Sequence, residues 1–278
     1  MQEPEAKKKA LIVVRTYPTP AKSGIEVSCT AAITDDGQWL RLYPIPYRLL
    51  PIDQRFRKYQ WVEVTVTKAS KDSRPESHKV KPDSINILSE PLSSDNSWAA
   101  RKTVVFPLRS HCLCCLEQVR ETQKHPTLGF FRPHKIEELI ISPDSPTWTD
   151  SQTALLRQGH LFEPNNREEL EKIPHKFQYK FSCDHTSCNG HTLMCTDWEM
   201  GESWREWRTR YGDQWEAKFR ERYEKDMIER FDTHFFVGTL HQHPNRWIVV
   251  GLFYPPQSIS GDTLFDLYGE SNPSHSPL

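Results

Sequence analysis

The 278-residue chain carries 36 basic and 37 acidic side chains, a formal net charge of -1. That balance excludes a global field for capturing polyanions or anionic membranes, so any nucleic-acid contact has to come from a local patch. With 9 Trp, 13 Phe and 9 Tyr the chain is too aromatic for a disordered protein, and its length suits two domains or one domain with a large elaboration.

Residues 1–9 are polar and lysine-rich, without the apolar stretch of a secretory signal. No window approaches the ~18 apolar residues of a membrane span, so a cytoplasmic protein with no membrane partner is expected. Residues 1–90 read as a mostly-β domain. Strands are predicted at 9–17, 25–34, 39–46 and 61–69, where β-branched and aromatic residues concentrate. Asp35-Asp36-Gly37 is a hairpin signal between the second and third of these. Residues 61–67 alternate, with Val62, Val64 and Val66 on one face, as in a half-buried strand. Short strands with Pro-rich joints point to a small β-barrel or sandwich-like domain.

Two of these strands end in the same pattern, Arg15-x-Tyr17-Pro18 and Arg41-x-Tyr43-Pro44. Chance and the habit of Pro closing strands explain it simply. The functional reading gathers Arg15, Tyr17, Arg41, Tyr43 and Arg48 at one barrel edge, where Arg fixes phosphates and Tyr stacks on bases.

Residues 91–170 read as a helical and irregular connecting segment, with helices near 95–103, 111–124 and 151–158 and a strand-like end at 139–141. Residues 171–256 read as an α+β domain of antiparallel ββαββ order. Two strands at 175–183 and 191–197 form a hairpin, and a helix at 199–211 is closed by Gly212. A second helix, to 231, is capped by Asp213 with Glu216 three residues on, and a hairpin at 235–254 follows. Residues 257–278 are Ser-, Gly- and Pro-rich and are expected to be a flexible tail.

The segment with the most chemistry is Cys183-x4-Cys188-x2-His191, set in the turn of the first hairpin. Thiolates and imidazole are the usual donors to zinc, and Asn189-Gly190 permits a tight backbone, so the expected cofactor is a structural zinc ion. The competing reading is two reduced cysteines and a loop histidine that pack the turn. A fourth donor is not evident. Cys195 lies four residues past His191 along a strand, about 13 Å away at ~3.3 Å per residue. Cys112, Cys114, Cys115 and His185 are the alternatives, and without any of them a water would leave the site open.

Asp197-Trp198-Glu199 places two carboxylates at a strand end, as a site for a hard divalent cation needs, though acidic residues also favour helix N-termini on electrostatic grounds. His241 and His243, with His234 upstream, are either a metal pair or exposed turn residues. The stripe Trp204, Trp207, Tyr211, Trp215, Phe219, Tyr223, Met227, Phe231 has helical spacing and reads as core. No nucleophile elbow, phosphate-binding loop or dinucleotide fingerprint occurs. Three functions are therefore carried forward. The first is a zinc-stabilised nucleic-acid-binding or regulatory protein, DNA included. The second is a metal-dependent, nuclease-like hydrolase using Asp197 and Glu199 near His191. The third is a non-catalytic subunit with a protein partner.

Overall fold

A computed structural model of the chain describes residues 4–22, 26–162 and 169–257. Strand β1 (Ala6–Arg15) sets the architecture, because its apolar run faces two cores at once. Ala10 and Ile12 pack with Leu40, Leu42 and Val64 inside a barrel. Leu11, Val13 and Val14 pack with Phe130, Phe236 and Phe253 from the C-terminal half. A strand that is apolar on both faces has to be covered on both.

The N-terminal strands continue with β2 (Thr19–Pro20), β3 (Glu26–Thr34), β4 (Trp39–Ile45), β5 (Trp61–Lys68), β6 (Ser77–Val80) and β7 (Asn86–Ile87). The order β1-β3-β4-β6-β5, with β5 pairing back onto β1, closes a five-stranded barrel. Its β4–β6 pairing is parallel. The β3–β4 turn takes the expected form, with Gly37 at φ 76° and its N–H donating to the Thr34 carbonyl at 2.9 Å. In β5, Val62, Val64 and Val66 are buried, as the alternation requires.

Helices α1 (Asp95–Val105) and α2 (Leu113–Gln123), strands β8 (Leu128–Phe131) and β9 (Lys135–Pro143), and α3 (Asp150–Phe162) follow. Next come β10 (His175–Ser182), β11 (His191–Cys195), α4 (Trp198–Tyr211), α5 (Trp215–Arg220) and α6 (Asp226–Glu229), then β12 (His234–Thr239) and β13 (Trp247–Phe253). A π-type turn, Glu221–Lys225, joins α5 to α6. The second sheet has the order β8-β12-β13-β11-β10-β9. One face packs on the barrel; the other carries Phe177, Tyr179, Phe181 and Phe235 against Leu116, Trp204, Phe219, Tyr223 and Met227 of the helices. The chain is thus α+β, with a barrel in the N-terminal part and a helix-covered sheet after it.

Three local expectations change. The segment 91–170 is more than a connection, because β8 and β9 are strands of the second sheet. All four residues of β8 are buried, so it has no alternation to reveal it. The sheet is not wholly antiparallel, since β13 inserts between β12 and β11 and meets β11 in parallel at Cys195 and Val249. Asp213 does not cap the second helix: Gly212–Gln214 form a 3-10 turn, and α5 starts after Gln214 with no side-chain cap. Gly212 does close α4, at φ 52°. The tail expectation falls, from residue 258 on, outside the described residues. Among the described residues no helix is long and apolar enough to cross a membrane.

Candidate metal centre

β10 and β11 pair antiparallel in a register that sets Phe181 opposite His191. The turn between them carries Cys183, the residue after β10, and Cys188. Its geometry is fixed from inside: the Cys188 N–H donates to the His185 carbonyl at 2.9 Å, and Gly190 takes φ 84°. That backbone conformation favours glycine over residues with a Cβ. The N–H groups of Cys183 and Gly190 donate to Cys188 Sγ at 3.2 and 3.4 Å. The His191 ring stacks on Phe181 with centroids 5.2 Å apart, which orients the imidazole.

The fourth donor comes from α2. Cys114 is its second residue, and its Sγ lies 3.3 Å from His191 Nε2. The helix start is held in place by its N-cap, Cys112, whose Sγ accepts the Cys115 N–H at 3.2 Å. His111 Nε2 donates to the Asp184 carbonyl at 3.2 Å, tying the same helix end to the turn. The ligand atoms of Cys114, Cys183, Cys188 and His191 all lie within 4.8 Å of one another, so this Cys3His group can hold a metal ion. A tetrahedron with metal–sulfur bonds of ~2.3 Å has edges near 3.7 Å, and the cluster is close to that size.

The protonation of the free thiols follows their surroundings. Burial raises the pKa of Cys114 and of Cys183. Burial acts the same way on Cys188, but the N–H donors of Cys183 and Gly190, together with the Cys114 and Cys183 thiols, outweigh it and the net shift is downward. Burial lowers the His191 pKa, which keeps the ring neutral and able to donate a lone pair. Cys112 and Cys115 sit beside the group with their sulfurs 2.6 Å apart, and the His185 ring is engaged by the Ser187 hydroxyl at 2.9 Å; three other candidates lie elsewhere. Cys195 is buried opposite Phe177, His234 stacks on Phe130, and His241 Nδ1 is 3.4 Å from Asp72. Nothing in the local sequence of Cys114 distinguishes it from Cys112 and Cys115.

Asp197 and Glu199 are not beside His191. Asp197 is 2 % exposed; its Oδ1 accepts the Glu199 N–H at 2.7 Å and its Oδ2 accepts the Leu252 N–H at 3.0 Å. Lys58, from the barrel, places Nζ 3.4 Å from Asp197 Oδ2 and 3.4 Å from Glu199 Oε2. Burial opposes the Lys58 charge, but the two carboxylates overcome it and hold its pKa well above the ordinary value. The ammonium thus stands where a divalent cation would need to be. Sequence reasoning missed Lys58, which is remote in the chain and carries no motif.

The proposed barrel edge is only partly assembled. Arg15 is sandwiched between Tyr47 and Trp198, its guanidinium 3.8 and 4.2 Å from the ring centroids. Arg41 is 2 % exposed, and its Nη2 donates to the Thr127 carbonyl at 2.8 Å. Arg48 pairs with Glu26 at 3.1 Å. Of the three arginines, Arg41 is buried and Arg15 and Arg48 are half-buried, each engaged with groups of the protein itself. Tyr17 is half-buried, donating its OH to the Glu171 carbonyl at 2.9 Å, and Tyr43 is exposed. Tyr17, Arg41 and Tyr43 nevertheless line one cleft.

Among known proteins, no curated sequence matches the chain. Two family descriptions do, and they meet where the barrel segment passes into the second sheet. Residues 6–107 match Domain of unknown function (DUF8758). Residues 109–269, more than half of the chain, match Domain of unknown function (DUF8757), and the chain belongs to that family.

Proposed function

We propose that Cys114, Cys183, Cys188 and His191 hold a zinc ion in a closed structural shell, and that the chain is a zinc-stabilised binding or regulatory protein. The observation that carries this reading is the convergence of three sulfurs and one imidazole nitrogen within 4.8 Å from two separate elements. Soft sulfur donors with one nitrogen in that number favour zinc over calcium or magnesium, which take oxygen. Four protein donors leave no coordination position for an activated water, so the ion serves shape. The hydrolase alternative loses support because the Lys58 ammonium occupies the space between Asp197 and Glu199, 3.4 Å from each.

The test is elemental analysis of the purified chain beside Cys188→Ser. One zinc per chain is expected in the parent and a large loss in the variant. A metal-free chain that keeps its melting temperature under strong chelation would sink the proposal. Nucleic acid is retained as a partner class because Tyr17, Arg41 and Tyr43 line one cleft. Phosphate contacts would make oligonucleotide affinity fall steeply with salt, so absence of binding at low salt removes that partner. A protein partner is the remaining alternative, and co-purification with the zinc-loaded chain tests it.

A further inference from the structure

Between the barrel and the second sheet lies a cleft of about 540 Å³. Tyr17, Val27 and Tyr43 line it from the barrel side, and Met194, Ile248 and Val250 from the sheet. This volume falls within the range of small-molecule sites, which favour joints between domains and have mostly apolar walls with a few placed polar groups.

The charges of the lining are lopsided. Asp72 is the one carboxylate among the described lining residues, and Arg74 neutralises it through Nε at 2.9 Å and Nη2 at 2.7 Å. Lys71 and Lys79 are exposed, and Arg41 lies buried in the wall. Arg41 Nη2 is used by Thr127 and its Nη1 lies 3.7 Å from Cys29 Sγ, but its Nε has no hydrogen-bond partner among the described residues. Glu76 also acts on Arg41 through space, yet its carboxylate oxygens already accept from Thr127 N at 2.8 Å and Oγ1 at 2.6 Å. Thr239, 2 % exposed and in the same lining, leaves its Oγ1 unpartnered among the described residues. Buried polar atoms without partners are uncommon in folded proteins, and Arg41 Nε, Thr239 Oγ1 and Ser77 Oγ, all in this lining, mark a place where a polar group from outside would be accommodated.

We infer that this cleft binds a small molecule with a flat apolar body and a single anionic group, of the aromatic carboxylate, sulfonate or phosphate monoester kind. The body lies against Tyr17, Tyr43 and Ile248, and the anionic group meets Lys71 and Lys79 over the field of Arg41. Low dielectric around the buried guanidinium strengthens that field relative to water. A long polyanion is disfavoured, because the charge is local and the whole chain is at -1. The inference rests on reading the chain as a binding protein and does not depend on the metal.

The experiment titrates the full zinc-loaded chain with 8-anilinonaphthalene-1-sulfonate, and separately with neutral N-phenyl-1-naphthylamine, by fluorescence. Saturation at one equivalent is expected for the anionic probe. Filling the cleft with Ala69→Trp, or with Leu240→Trp should the first variant not fold, weakens both probes about tenfold or more, the equivalent of ~1.4 kcal/mol. The Lys71→Glu, Lys79→Glu double variant weakens the anionic probe about tenfold and leaves the neutral one within about twofold. Unsaturable binding, or binding indifferent to the filling variants, overturns the inference. So does saturable binding of a single-stranded oligonucleotide that both filling variants abolish while neither probe binds. Zinc content measured on each sample separates failure of this site from failure of the metal reading.

Discussion

Lys58 Nζ is held between Asp197 and Glu199 with its side chain 8 % exposed, and Asp197 also caps α4 and accepts from β13. One carboxylate therefore joins the barrel, a helix start and the central strand of the second sheet. Removing the Asp197 charge leaves the buried Lys58 ammonium with the part-exposed Glu199 as its remaining carboxylate, and costs Asp197 part of its acceptor capacity toward two backbone N–H groups. Asp197→Asn is expected to destabilise the fold by about 3 kcal/mol, read as a lower urea midpoint with an unchanged slope. His234 is a second residue with a readable consequence. It is 0 % exposed, its Nδ1–H donates to the Asp232 carbonyl at 2.9 Å, and its Nε2 has no partner among the described residues. Burial lowers its pKa, so the folded chain takes up that proton less readily than the unfolded chain. Its favourable contribution is complete above the unfolded value of ~6.5 and is lost as pH falls, by at most ~1.4 kcal/mol per pH unit. His234→Phe is expected to flatten the dependence of stability on pH below about 6.5, measured by denaturant titration.

The β10–β11 hairpin was legible because β10 alternates and the turn after it concentrates Cys, His, Asn and Gly. Cys114 was not, because its place in the cluster depends on how α2 docks, and no local pattern encodes docking. The same holds for α4. Its stripe announced a buried face, but not that Gly201 lies under the Tyr17 ring. An added Cβ there would fall 2.3 Å from Tyr17 Cδ2. Gly201→Ala is expected to displace Tyr17, break its hydrogen bond to the Glu171 carbonyl and cost about 1–3 kcal/mol, read as a lower melting temperature. Cys114→Ser tests the other docked element. Zinc stoichiometry should fall while the Cys112 cap and α2 persist, and retained metal would remove Cys114 from the shell.

At the scale of the molecule, the two family matches divide the chain near residue 108, but the core does not divide there. Leu11, Val13, Ala31, Ile33 and Tyr59 of the barrel pack with Phe130, Phe236, Val250 and Phe253 of the second sheet. The strand at β1 was legible in the sequence, whereas the partner for its second face was not, since contacts so distant in the chain leave no periodic trace. Residues 1–107 made alone are expected to give poorly dispersed amide spectra and to gain native dispersion on adding residues 108–278. Well-resolved spectra from the isolated piece would show the shared core to be dispensable. The same seam bears on synthesis. The barrel strands leave the ribosome well before β13, and at ~5–20 residues per second their outer face waits on the order of 10 s for its cover. During that interval the nascent chain presents an oily flank, so the yield of soluble protein should depend on chaperone supply more than the finished molecule's balanced surface would suggest.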